Sequence, residues 1–220
     1  MVMQKYERLP RHIGIIPDGN RRWAERNGMK KEAGYGYGIE PGFALYQECV
    51  KLGVPEITFY GFTQDNTKRP AVQTRAFQKA CVDAVEGLAN HDANLLIVGN
   101  ADSPLFPQEL FRYTKRACFG KGLININFLV NYGWDWDLSH SIGYGRGEKD
   151  AFSRKIASVD IPRMDLIIRW GGRRRLSGFL PVQSIYADFY VVDEMWPDFK
   201  VDHLYQALDW YQSQDVTLGG

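Results

Sequence analysis

Short apolar runs rich in β-branched and aromatic residues alternate along this chain with stretches of helical period. Strands are predicted over 13–17, 56–62, 95–99, 124–130, 165–168 and near 189–192, each bounded by turn-forming residues. Helices are predicted over 21–27, 38–52, 72–90, 107–119, 181–186 and 202–212. Alternation of this kind predicts an α/β fold with a mainly parallel sheet covered on both faces. No internal repeat or low-complexity linker interrupts it, so residues 1–220 are expected to form one domain, with the Gly-rich, charged stretch 145–150 as a mobile loop.

Composition narrows the function. With 220 residues, 45% of them hydrophobic, the chain can bury one substantial core. Its net charge of +1 argues against a nucleic-acid binder, whose footprint is strongly basic. No N-terminal run reads as a signal peptide and none is long enough to span a bilayer, which points to the cytoplasm. Cys49, Cys81 and Cys118 are odd in number and widely spaced, as expected of reduced core residues, and the four histidines show no zinc-ligand spacing.

Two strand ends carry the chemistry. The run ending at Pro17 passes into Asp18-Gly19-Asn20-Arg21-Arg22-Trp23-Ala24, which puts a carboxylate, backbone N–H groups and two guanidiniums at one strand-to-helix junction. Such a junction suits a diphosphate and Mg²⁺, although Asp-Gly-Asn is also ordinary turn and capping chemistry. A second apolar run, 164–168, delivers Arg169-Trp170-Gly171-Gly172-Arg173-Arg174-Arg175-Leu176-Ser177 to a strand's carboxyl end, where open α/β sheets bind ligands. Paired glycines among planar bidentate donors suit a second phosphate better than a merely solvated loop. Asn66 and Arg69, after the strand at 56–62, are expected to face the same edge as Asp18. Asn131 onward reads as capping and turn, and Trp196-Pro197-Asp198-Phe199 as a core anchor.

These motifs, in the stretches 12–24, 52–70, 123–133 and 165–199, resemble the cis-prenyltransferases, the family of undecaprenyl diphosphate synthase. The resemblance implies a six-stranded, mostly parallel sheet flanked by helices, normally in a homodimer. It also implies prenyl diphosphate substrates, here dimethylallyl and isopentenyl diphosphate, with Mg²⁺ as cofactor. Asp18 would organise the metal and the allylic diphosphate. Gly19, Asn20 and Arg22 would grip that diphosphate, with Trp23, Lys31 and Tyr35 nearby. Arg169, Arg175 and Ser177 would hold the second diphosphate, and Asp188, where the family usually has Glu, would be the other metal carboxylate. Asn66 and Arg69 match the loop that senses the reacting pair.

The chain also departs from the family pattern. Tyr35 stands for His and Lys31 for Arg; Trp170 replaces a small residue, Arg173 an acidic one and Thr67 a Trp; the tail's Arg-x-Gly reads Thr217-Leu218-Gly219. The chain is short, and Phe43, Tyr46 and Phe77 are large rings that either plug a product tunnel or simply pack the core. Together these features resemble the irregular lavandulyl and cyclolavandulyl diphosphate synthases, which couple two dimethylallyl diphosphates into a branched ten-carbon product. Trp170 would then steady the allylic cation through its ring face. Released diphosphate, Tyr35, Asp65 and Asn66 are the candidate proton acceptors. A regular short-chain elongase using isopentenyl diphosphate, a non-catalytic partner subunit and a generic phosphate-binding module are the alternatives.

Overall fold

The structure is a computed structural model that describes residues 6–142 and 154–215; the stretch at 145–150 and the tail at 217–219 lie outside them. Seven strands join one sheet: β1 (His12–Ile16), β2 (Glu56–Tyr60), β3 (Ala93–Val98), β4 (Ala117–Cys118), β5 (Ile124–Leu129), β6 (Leu166–Arg169) and β7 (Asp188–Val191). Their order is β4-β3-β5-β2-β1-β6-β7, and every pairing is parallel except β3 with β4.

The expected six strands are thus all present, and the seventh is the correction. Residues 107–119, read as one helix, form instead a 3₁₀ turn over Gln108–Tyr113 followed by the two-residue edge strand β4. The 181–186 segment, also read as a helix, is a series of turns. Six α-helices are described: α1 (Asn20–Arg26), α2 (Gly34–Tyr37), α3 (Ile39–Leu52), α4 (Ala71–Leu88), α5 (Trp134–Ser139) and α6 (Val201–Gln212).

The strands' alternation divides the core in two. Ile13 and Ile15 of β1, Ile57 and Phe59 of β2, and Ile126 and Phe128 of β5 share one face, where they pack with Leu45 and Cys49 of α3, Cys81 and Val85 of α4, and Leu204 and Ala207 of α6. The opposite face is covered too, as expected, by Trp136 of α5 and by connecting segments. There Ile16, Leu129 and Ile167 meet Met164, Phe179 and Leu180 from connecting segments. Its amino-terminal half is polar: His12 Nε2 lies 2.7 Å from Thr58 Oγ1, and Asn127 Nδ2 donates to Thr58 Oγ1 (2.9 Å) and Glu56 Oε1 (2.7 Å). Cys49 and Cys81 are buried free thiols as expected, whereas Cys118, on the edge strand, is exposed.

Since six strands run parallel, their carboxyl ends form one rim. Residues at 17–22, 60–69 and 169–177 therefore converge there.

Candidate active site

β1 ends at Ile16 beside Arg169 of β6, its register partner, so the two sequence motifs meet at adjacent strand ends. Gly19 turns the chain into α1 at φ 108°, a conformation that favours glycine, and a Cβ there would come within 2.8 Å of Met195. Asp18 Oδ1 accepts the Gly19 N–H at 2.6 Å, and Asp18 Oδ2 accepts Arg169 Nη2 at 2.8 Å. Arg22, one turn into α1, lies 3.6 Å from the same carboxylate and donates to Gly171 O at 2.9 Å. Gly171 has φ 83°, and a Cβ on it would strike that guanidinium at 2.5 Å, so the glycine makes the approach possible.

These groups line a polar cavity of 390 Å³. Asp18, Gly19, Asn20, Arg22, Tyr35, Asn66, Arg69, Arg169, Arg173, Arg175 and Ser177 all border it, so eleven expected site residues are brought together. Arg21, Tyr60, Thr63, Asp65 and Phe77 complete most of the wall. Arg169 is 5% exposed and reaches across the floor: its Nη1 donates to Ser177 Oγ at 3.1 Å and to Arg175 O. Asn66 Oδ1 accepts the Thr63 N–H at 3.0 Å and so closes its own 3₁₀ turn, Gln64–Lys68, which Thr67 Oγ1 caps by donating to Gln64 O. Asp65 is ion-paired with Lys68 at 2.6 Å on the exposed side of that turn.

Three expected site residues lie elsewhere. Trp23 donates its Nε1 to Asp198 Oδ1 at 2.7 Å and Lys31 pairs with Glu25 at 2.9 Å, so both tie local structure outside the wall. Asp188 begins β7 opposite Leu166, at the amino end of the sheet, and therefore cannot share a metal with Asp18 of the same chain. Burial raises its pKa, against the pull of the nearby Arg8 guanidinium. Trp170 is a further correction: it is fully buried, edge-on to Trp196 at 4.8 Å, with Nε1 3.4 Å from His203 Nδ1, and it presents no face to the cavity.

A smaller apolar cavity of 70 Å³ adjoins the polar one. Pro17, Asn20, Tyr35, Gly61 and Phe77 border both, and Phe43, Ala84, Leu88, Phe128 and Trp196 are among the residues that close the inner one. At the junction the Tyr35 and Phe77 rings stack 4.4 Å apart, and Arg69 Nη1 donates to the Tyr35 hydroxyl at 2.9 Å. Burial raises the Tyr35 pKa, with Arg69 and Arg21 pulling it back. A cationic basin opening onto an apolar recess suits an anionic head with a hydrocarbon tail.

The family described as "Putative undecaprenyl diphosphate synthase" matches residues 16–219. The chain belongs to this cis-prenyltransferase family. Among its relatives, a ditrans,polycis-undecaprenyl-diphosphate synthase ((2E,6E)-farnesyl-diphosphate specific) of Pseudomonas putida is 31% identical, over 96% of this chain and 91% of the relative. An isoprenyl transferase of Heliobacterium mobile is 32% identical, over 97% of this chain and 88% of the relative. The crystal structure of lavandulyl diphosphate synthase from Lavandula x intermedia, in complex with dimethylallyl diphosphate, superposes with a TM-score of 0.83 at 22% identity. That match covers 96% of this chain and 98% of the other, and shows a shared fold. As a cis-prenyltransferase the chain is a transferase of isoprenoid biosynthesis. Among the described residues no helix is long and apolar enough to cross a membrane.

Tyr60 and Thr63 are wall residues that the sequence motifs did not single out as binding groups, whereas Arg21, one of the two guanidiniums expected at the junction, does border the basin. Tyr60 stands at the carboxyl end of β2, as Ile16 does in β1, and that position was its available signal.

Proposed function

We propose that this cis-prenyltransferase is a short-chain cis-polyprenyl diphosphate synthase, which adds isopentenyl diphosphate to an allylic primer diphosphate. The observation that carries the reading is the single basin in which Asp18 is ion-paired to Arg169 while Arg22 and Ser177 flank the pair. The names of the sequence relatives support chain elongation over other prenyl chemistry.

In this reading Arg21, Arg22 and the first-turn amides of α1 hold the allylic diphosphate. Arg169, Arg173, Arg175 and Ser177 hold the second one. Fixed cations stabilise the departing diphosphate as the allylic C–O bond breaks. The double bond of the neighbour attacks the cation, and a proton leaves to end the cycle. Asn20, bordering both cavities, sits where head and tail of the allylic substrate meet.

The donor set fits Mg²⁺, which binds phosphates with the help of one or two carboxylates. Asp18 would hold it together with diphosphate oxygens; among the described residues no group of three potential ligands exists to cage a metal alone. Bound there, Mg²⁺ supplies charge neutralisation for the leaving group.

The inner cavity supports a short product. It is small, 70 Å³, and is closed by the rings of Phe43, Phe128 and Trp196. A second reading couples two dimethylallyl diphosphates. Arg173 favours it, as a guanidinium placed in the basin wall where the family pattern is acidic. We further propose the homodimer and the cytoplasmic setting usual for the family; Ile142, Ile185 and Tyr186 leave 79%, 64% and 55% of their surface exposed, apolar area that a second copy would cover.

Mass spectrometry of products from labelled dimethylallyl diphosphate alone, isopentenyl diphosphate alone and their mixture tests this. Elongation predicts linear product from the mixture only. Branched ten-carbon product from dimethylallyl diphosphate alone would replace it with the second reading.

A further inference from the structure

Ser177, Gly178 and Leu180 adopt φ of 54°, 79° and 37°, so the segment that ends the basin wall is left-handed at three of four positions. Two of those residues carry a Cβ, and side-chain-bearing residues stay in such conformations only where their surroundings hold them. Several contacts do so here. Phe179, fully buried, anchors the segment from below, and its N–H donates to Leu176 O at 3.1 Å. Trp134 packs against Gly178, its Cδ1 2.7 Å from where a Cβ would stand. Ser184 N–H donates to Leu180 O at 3.0 Å, and a further tie comes from two strands away: the Tyr60 hydroxyl donates to Ser177 O at 2.7 Å, and its ring lies 4.9 Å from that of Phe179.

On the cavity side the same segment presents the Ser177 hydroxyl and accepts Arg169 through Ser177 Oγ and Arg175 O. We infer that Tyr60 is a positioning residue for the second diphosphate: by holding the Ser177 carbonyl it keeps the strained turn closed and aims Ser177 Oγ and Arg169 into the basin. Burial raises the Tyr60 pKa, so the phenol stays a hydrogen-bond donor. The inference rests on the reading of the basin as a site for two diphosphates.

Calorimetric titration of the full chain with inorganic diphosphate and Mg²⁺ tests it, using wild type, Tyr60→Phe, Ser177→Ala and the double variant, each with its melting temperature. Wild type is expected to bind two diphosphates per chain. Tyr60→Phe should weaken one of them about tenfold, the effect of losing one well-placed hydrogen bond, and leave the other within about twofold. If Tyr60 acts through Ser177, the double variant should bind about as weakly as the worse single variant, not at the product of the two losses. A wild type that binds fewer than two diphosphates overturns the two-site reading itself. Two sites that survive Tyr60→Phe unchanged, multiplicative losses in the double variant, or a Tyr60→Phe chain that fails to fold would each overturn the positioning role alone.

Discussion

Arg169 donates from Nη2 to Asp18 Oδ2 at 2.8 Å, joining the last residue of β6 to the turn after β1. The guanidinium is 5% exposed and the carboxylate 33%, so the pair forms the floor of the basin and is set before any ligand arrives. A diphosphate entering the basin meets Arg169 already oriented, which lowers the reorganisation needed as charge develops on the leaving group.

Asp18→Ala should therefore act in two ways. Turnover should fall by about 10²–10³-fold, as when a preorganised electrostatic group is removed. Stability should fall by about 1–3 kcal/mol, because Arg169 loses its charged partner while buried. Steady-state kinetics with thermal denaturation checks both, and near-normal kcat would remove Asp18 from the chemistry.

Arg173 borders the basin without belonging to the Asp18–Arg169 floor. Arg173→Glu should raise KM for the second prenyl diphosphate by about tenfold, through loss of a charge-assisted hydrogen bond, and shift the product ratio. An unchanged product profile at unchanged KM would place Arg173 in solvent.

Phe77 stacks on Tyr35 and meets Phe62 edge-on at 5.7 Å, and it borders both the polar basin and the apolar recess where the two adjoin. Phe77→Ala enlarges that recess, and with isopentenyl diphosphate in excess the product should lengthen by one or more prenyl units. It should also cost about 3–5 kcal/mol if the space does not collapse. Chromatography of dephosphorylated products reads the length; identical products from a folded variant would show that the ring is packing alone.

Stability should decline as pH falls below 6.5, the ordinary histidine value. Burial lowers the pKa of His12, opposed by Glu56, and burial likewise lowers that of His203. The folded chain thus holds both rings neutral while the unfolded chain takes up protons first, so this contribution is full above 6.5 and is lost as pH drops through the folded values. Urea melts at pH 7.5 and 5.5 check the sign, and His12→Gln should reduce the difference.

The strands were legible because their alternation is regular: Ile13 and Ile15, Ile57 and Phe59, Ile126 and Phe128 each mark one face. The basin was legible because an apolar run ending in Asp-Gly-Asn, and another ending in Arg-x-Gly-Gly, must both finish at the same rim of a parallel sheet. Asp188 misled because the motif fixes its neighbours in sequence and not its end of the sheet; it opens β7, three residues before the rim. Trp170 misled for a related reason: following Arg169 directly, it turns away into the layer of Trp196, Phe199 and His203. The 107–119 segment has helical composition, yet only a 3₁₀ turn forms before the chain returns to pair with β3. For Tyr60 the strand end marked only its place at the rim; its tie to a carbonyl 117 residues away left no sign in the sequence.

The most direct test is a co-crystal with Mg²⁺ and unreactive thiolodiphosphate analogues of both five-carbon substrates. Two diphosphate heads are expected in the one basin, the first against Asp18 and Arg22 with its tail toward Phe77, the second against Arg169, Arg175 and Ser177. Saturated crystals that show a single head there, or none, would contradict that arrangement.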